Sequence, residues 1–152
     1  DRVILIVSAQ HPWAAYGRAL PADLADEPMI LRESKAGTMQ VLLDGLAQHG
    51  ITLDMLNPIM EIGNAEAIEM AVEENLGIAF VSELAAARGL ALGRVKQVDV
   101  PGLDLRRTIY IARNARVPLS RTQDRFWSFV AQRHDEFTSV IRSKLSGLIA
   151  EP

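Results

Sequence analysis

The sequence predicts an α/β domain, a mostly parallel sheet with helices on both faces. Three observations carry this reading. Strand-like and helix-like patterns alternate along almost the whole chain. The strand candidates are continuous apolar runs, Val3-Ile4-Leu5-Ile6-Val7 and Gly77-Ile78-Ala79-Phe80-Val81, as expected of strands covered on both faces. The helix candidates open beside residues suited to helix starts, Thr38, Asn64, Ser82 and Ser120.

The elements follow in order. Val3–Val7 is the first strand, and Ala9-Gln10-His11-Pro12-Trp13 ends it, since a residue before proline leaves helical space. Pro21–Ala25 reads as one helical turn with proline at a tolerated first position. Met29–Arg32 is a second strand, and Glu33–Thr38 a polar loop. Val41, Leu42, Gly45, Leu46 and His49 then fall at helical spacing, with Gly50 where a left-handed residue closes a helix. Pro58–Ile62 is a third strand. Asn64 caps a helix over Ala65–Glu74, whose buried stripe is Ile68, Ala71, Val72 and Leu76. After the fourth strand, Ser82 caps a short helix through Ala87 closed by Gly89. Val95–Val100 and Thr108–Ala112 are a fifth and sixth strand, separated by the turn signal Pro101-Gly102. Ser120-Arg121-Thr122-Gln123 is a capping box. The helix it opens carries Phe126, Trp127, Val130, Phe137, Val140, Ile141, Leu145 and Leu148 on one side, running nearly to Gly147 or breaking near His134-Asp135.

Composition narrows the function classes. With 152 residues the chain fits one domain, or one lobe with an appendage. Its 16 Lys and Arg against 19 Asp and Glu give a net charge of −3, so it lacks the basic footprint of a nucleic-acid binder. No apolar run approaches the ~20 residues of a membrane helix. The absence of cysteine excludes disulfides, thiolate catalysis and cysteine-ligated zinc. Asp1-Arg2 leads straight into a strand with no signal-peptide pattern, and the expectation is a cytoplasmic protein.

Two strand-to-helix junctions hold the best candidate chemistry, Leu31–Thr38 and Ile62-Gly63-Asn64. Ligands of parallel α/β sheets sit at the carboxyl ends of strands, where helix N-termini offer free N–H groups and partial positive charge. Ser34, Lys35, Gly37, Thr38, Gly63 and Asn64 there suit a small carboxylate or similar anion, although Thr38 and Asn64 can equally act only as helix caps. Catalytic readings are poorer. His11, His49 and His134 show no metal-ligand spacing, and Ser82 lacks the flanking glycines of a nucleophile elbow. Glu73-Glu74 and Asp135-Glu136 are sequence neighbours that do not face each other on a helix. Arg106-Arg107 either contacts an anion or, more ordinarily, flanks a strand in water. The expectation is therefore no catalytic residue, no metal and no cofactor.

In order along the chain, several pieces resemble the C-terminal effector-binding domain of LysR-type transcriptional regulators. His11-Pro12-Trp13-Ala14 is similar to the family's loop after a long apolar strand, and Asp23-Leu24-Ala25-Asp26-Glu27-Pro28-Met29-Ile30 to the stretch before its next strand. Gly37-Thr38 matches the small-hydroxyl helix start, and Ile62-Gly63-Asn64-Ala65-Glu66-Ala67-Ile68 the helix start beside the effector cleft. Val72 with Leu76–Val81 resembles a further signature, and Pro101-Gly102-Leu103 with Arg106-Arg107 fits the return strand. Ser82 departs from the family's usual proline, and the tail beyond His134 is longer than expected.

The resemblance implies a periplasmic-binding-protein-like (type II) lobe over 1–104, with 105–152 a return strand and helix belonging to a first lobe otherwise missing. It implies that Ser34, Lys35, Gly37, Thr38, Gly63 and Asn64 line one wall of an effector cleft. It implies a small-molecule effector, a carboxylate or other anion, as partner, self-association to a dimer with a tetramer in the full-length parent, and DNA contact only through an absent winged helix-turn-helix. No membrane partner is implied. The alternatives are a transporter's solute-binding protein and, further off, a dehydratase-like enzyme on the same fold. Apolar side chains at Phe126, Trp127, Phe129 and Val130 predict that this chain self-associates.

Overall fold

The computed structural model describes residues 1–133, 136 and 139. Residues Asp1–Thr108 form one compact unit, and a second begins at Ile109. The first unit is built from β1 (Val3–Ser8), α1 (Pro12–Tyr16), a 3-10 turn (Pro21–Ala25), β2 (Pro28–Arg32), α2 (Gly37–Ala47), a 3-10 turn (Leu53–Met55), β3 (Asn57–Ile62), α3 (Ala65–Glu73), β4 (Ile78–Ser82), α4 (Glu83–Ala91) and β5 (Val95–Val98).

The five strands lie in the order β3-β2-β4-β1-β5. β2 pairs parallel with β3 and β4, whereas β1 pairs antiparallel with β4 and β5. Four strands thus share one direction and β1 alone opposes them. The sheet is mixed rather than mostly parallel in its pairings, because β1 is inserted between β4 and β5.

The unbroken apolar runs are explained by two cores. Val3, Leu5 and Val7 join Met29, Leu31, Ile78 and Phe80 on one face, under Met39, Leu42 and Leu46 of α2. Ile4, Ile6, Ile30, Ala79 and Val81 face the other way, against Ile68 and Val72 of α3 and Ala86 of α4. Successive strand residues point to opposite faces, so a strand buried on both must be apolar at every position.

Several expectations are corrected. No strand forms over Thr108–Ala112, where Ile109, Tyr110 and Ile111 are 61%, 79% and 65% exposed. A β-branched run makes a strand only where a neighbour supplies ladder partners. The fifth strand stops at Val98 instead of Val100. Pro12 opens α1 rather than only ending a strand, with His11 Nδ1 accepting from the Trp13 N–H at 3.1 Å. α4 runs through Gly89 to Ala91, because Gly89 is needed for packing: a Cβ there would meet Glu69 Oε1 at 2.5 Å. Ser82 precedes α4 but gives it no side-chain cap. Its hydroxyl donates to Asp1 Oδ1 at 2.8 Å.

Leu105–Arg107 pair with the start of β1. The Val3 N–H donates to the Leu105 carbonyl at 2.8 Å, and the Arg107 N–H to the Asp1 carbonyl at 3.0 Å. In the second unit, Ser120 closes its capping box with Gln123 and opens α5 (Arg121–Gln132), which leaves Phe126 and Phe129 54% and 45% exposed. Expectations resting on His134, Asp135, Phe137, Val140, Ile141, Leu145, Leu148 and the tail lie outside the described residues.

Candidate anion-binding site

Parallel pairing brings the two junctions side by side. Arg32, the last residue of β2, lies opposite Ile62, the last of β3. Each strand then turns into a helix N-terminus, α2 or α3. Arg32 Nη2 spans the gap, donating to the Gly63 carbonyl at 3.4 Å.

The six candidate residues divide into two kinds. Ser34 and Lys35 are exposed turn residues, and Gly37, Gly63 and Asn64 are also exposed. Asn64 caps α3, its Oδ1 accepting from the Ala67 N–H at 2.9 Å. Thr38 differs from all of these. It is 2% exposed, and it is not a cap. The cap position of α2 is Ala36, which has no side chain able to accept from the first-turn N–H groups. Thr38 Oγ1 instead accepts from Arg107 Nη1 at 2.9 Å.

Sequence reasoning weighs Arg107 only as half of the Arg106-Arg107 pair and leaves it out of the candidate site. Arg106 turns to solvent and pairs with Asp104 at 2.8 Å. Arg107 turns inward: its Nη2 and Nε bond Asp1 Oδ2 at 2.7 and 2.8 Å, and the Asp1 side chain is 1% exposed. The Ser82 hydroxyl completes that carboxylate. A Cβ added at Gly37 would sit 3.6 Å from Arg107 Nη1, which places the guanidinium beside the first residue of α2. The available signal was strand periodicity, which sends adjacent residues to opposite faces.

Arg32 is the second cation. Glu33 holds it at 2.8 Å, keeps its guanidinium firmly charged and is itself held below the ordinary glutamate range by that bond. Burial, and then the nearby charge of Arg32, push Arg107 below its ordinary value. Each arginine has one carboxylate partner, so the formal charges balance. The uncompensated term is the α2 N-terminus, whose first turn contains no acidic residue.

Leu31, Arg32, Thr38, Met39 and Phe80, among others, line a crevice between these groups that is too narrow to admit a water molecule. It is a surface beside the helix start, not a ligand pocket of the roughly 300–1,000 Å³ that such sites have. A larger groove of about 500 Å³ lies elsewhere, lined by Leu20, Pro21, Ala25, His49, Ile51 and Met55. It offers an anion no arginine or lysine, and His49 there already donates to the Gly102 carbonyl at 3.1 Å. Among the described residues no group of His, Cys, Asp and Glu is placed to hold a metal ion.

Comparisons with known proteins agree with this architecture. The chain is 34% identical over 132 residues to an uncharacterised HTH-type transcriptional regulator of Methanocaldococcus jannaschii, an alignment covering 87% of this chain and 45% of that protein. The chain therefore spans less than half of that relative's length. Its fold matches the regulatory domain of CcmR from Synechocystis PCC6803, solved in complex with 2-PG, with a TM-score of 0.72 at 24% identity over 85% of this chain and 61% of that one. It also matches the effector binding domain of QuiR in complex with shikimate, with a TM-score of 0.53 at 20% identity over 66% of this chain and 45% of that one. The family model described as the LysR substrate binding domain matches residues 1–135, and this chain belongs to that family.

Proposed function

We propose that this chain is the effector-sensing part of a LysR-type transcription regulator, and that it binds a small anionic metabolite at the α2 N-terminus. The observation that carries the reading is the contrast at that helix. Its first turn has no side-chain cap and contains no acidic residue, while Arg107 and Thr38 stand beside it. Free N–H groups and the positive end of the helix dipole favour an anion. The complexes of CcmR with 2-PG and of QuiR with shikimate support a small acidic effector for a domain of this fold.

In this reading residues 1–104 are the second effector-binding lobe and 105–152 return to the first. The opposite wall of the cleft lies in the rest of the full-length protein. Ser34, Lys35, Gly37, Gly63 and Asn64 complete the near wall around Thr38. The protein works as a cytoplasmic dimer, tetrameric at full length, that touches DNA only through a winged helix-turn-helix elsewhere in the polypeptide. Its role is binding rather than catalysis. Effector affinity that differs between two lobe arrangements shifts their populations and so changes DNA binding. The HTH-type relative argues against a transporter solute receptor or a dehydratase.

A thermal-shift screen of small carboxylates and inorganic anions, on this chain and on the full-length protein, tests the proposal. A ligand at 100 times its Kd adds about 2.7 kcal/mol to a protein that binds it only when folded. Strong stabilisation of the full-length protein with a weaker shift for this chain is expected. No shift in either protein contradicts an anion site at α2.

A further inference from the structure

We propose that the groove at the C-terminal end of α2 binds a small, uncharged apolar molecule carrying a hydroxyl, such as a phenol. The proposal stands independently of the anion-binding reading, because the 11 residues of α2, about 16 Å of helix, separate this groove from the α2 N-terminus. The groove holds about 500 Å³, within the roughly 300–1,000 Å³ of small-ligand sites. Leu20, Pro21, Ala25, His49, Ile51 and Met55 line it, and among the described residues its lining includes no carboxylate, ammonium or guanidinium. Leu20 and Met55 are 55% and 54% exposed, leaving apolar surface that an apolar ligand would cover. Eight residues line the groove, whereas a stable protein interface takes about 20–30 on each side. A small molecule is therefore the occupant that matches its size.

His49, the one polar side chain in the lining among the described residues, fixes the ligand's polar chemistry. Its Nε2 lies 3.1 Å from the Gly102 carbonyl, which can only accept, so Nε2 carries the hydrogen. In the neutral ring Nδ1 is then an acceptor. Gly102, at φ +87°, lies against the ring: a Cβ there would meet His49 Cε1 at 2.5 Å. Reversing the tautomer would set a nitrogen lone pair against the Gly102 carbonyl. The neighbouring backbone donors are spent. The Leu20 N–H goes to Asp23 Oδ2, and those of His49, Gly50, Ile51 and Met55 go to the carbonyls of Leu46, Ala47, Leu46 and Thr52. A ligand hydroxyl therefore finds an acceptor, whereas an ether or carboxylate finds none of these donors. Asp23, Asp26 and Asp54, each next in sequence to a lining residue, further oppose an anion. Unmatched polar groups in a site discriminate more sharply than missing apolar contacts.

The test titrates the full-length protein, labelled at isoleucine and methionine methyl groups, with p-cresol, 4-methylanisole and p-toluate, and follows methyl NMR. Saturable shifts at Ile51 and Met55 are expected with p-cresol. 4-Methylanisole, which keeps the ring and the oxygen but cannot donate, should bind about three- to tenfold more weakly, and p-toluate no better than the ether. His49→Phe keeps a ring and loses the acceptor, and should bring p-cresol and 4-methylanisole within twofold of each other. Ala25→Phe fills the groove and should abolish the shifts with every compound. Circular dichroism and Tm confirm that each variant folds, and the comparison of compounds on the wild type needs no variant at all. The absence of saturable shifts at Ile51 and Met55 up to the solubility of p-cresol would overturn the proposal. So would equal binding of 4-methylanisole or p-toluate, a preference for p-cresol that survives in His49→Phe, or unchanged binding in Ala25→Phe. Displacement of p-cresol by inorganic phosphate would merge the groove with the anion site and equally overturn it.

Discussion

The junctions after β2 and after β3 look alike in the sequence and differ in the folded chain. Both follow a strand of the parallel pair, and both carry a glycine and then a small polar residue where the next helix begins, Gly37-Thr38 and Gly63-Asn64. At α3 the helix start is satisfied from within: Asn64 caps it and Glu66 lies in its first turn against the dipole. At α2 neither device is present. Ala36 stands at the cap, the first turn has no acid, and Thr38 is turned inward to Arg107. Capping chemistry placed at one junction and withheld from its neighbour distinguishes a closed helix start from one available to a ligand.

The largest effect expected from disturbing this contrast is at the α2 side. Arg107→Met leaves the Asp1 carboxylate, 1% exposed, without its cation. Breaking a buried pair from one side costs about 3–5 kcal/mol. Urea denaturation should show a loss of this order, and the double variant Asp1→Asn with Arg107→Met should recover much of it. A single-variant loss under about 1 kcal/mol would mean that the pair is well solvated.

At α3 the expected effect is smaller and purely structural. Asn64→Ala removes one cap and should cost about 1 kcal/mol by urea denaturation. Anion affinity should hardly change. A large loss of affinity in this variant would move the ligand to α3.

Exchanging the character of the junctions sharpens the test. Ala36→Ser gives α2 the cap it lacks, and should stabilise the domain by about 0.5–1 kcal/mol while weakening its thermal response to anions. Stabilisation with an undiminished response would separate ligand binding from the α2 N–H groups.

The smallest effect is a pH dependence on the far face of the sheet. Burial, opposed by the charge of Arg88 and assisted by Glu73, raises the Glu69 carboxyl above the ordinary glutamate value of 4.5. The folded state then binds this proton more tightly than the unfolded one. The resulting stability is fully present below the unfolded value and is lost as pH rises through the raised folded value. Glu69→Gln should therefore narrow the difference in urea midpoint between pH 4.5 and pH 7.5, relative to wild type. An unchanged difference would show that Glu69 does not contribute.

What the sequence made legible follows from the range of each interaction. Val3–Val7 and Ile78–Val81 could be read because burial on both faces leaves a local, unbroken apolar signature. Asn64 could be read because a cap bonds three residues ahead. Thr108–Ala112 carries the same β-branched signature as a strand, but pairing depends on a neighbour that no local pattern specifies. Arg107 was less legible still, since its partners Thr38 and Asp1 lie 69 and 106 residues away. Gly89 reads as a helix stop until Glu69 of the adjoining helix is seen to require its small size.

The central claim is that α2, not α3, offers its N-terminus to an anion. The most direct measurement is a backbone-amide NMR titration with inorganic phosphate and shikimate. It would compare Gly37, Thr38 and Met39 with Ala65, Glu66 and Ala67. Saturable shifts are expected in the first set and little change in the second. Equal shifts in both, shifts confined to α3, or none at saturating ligand would contradict it.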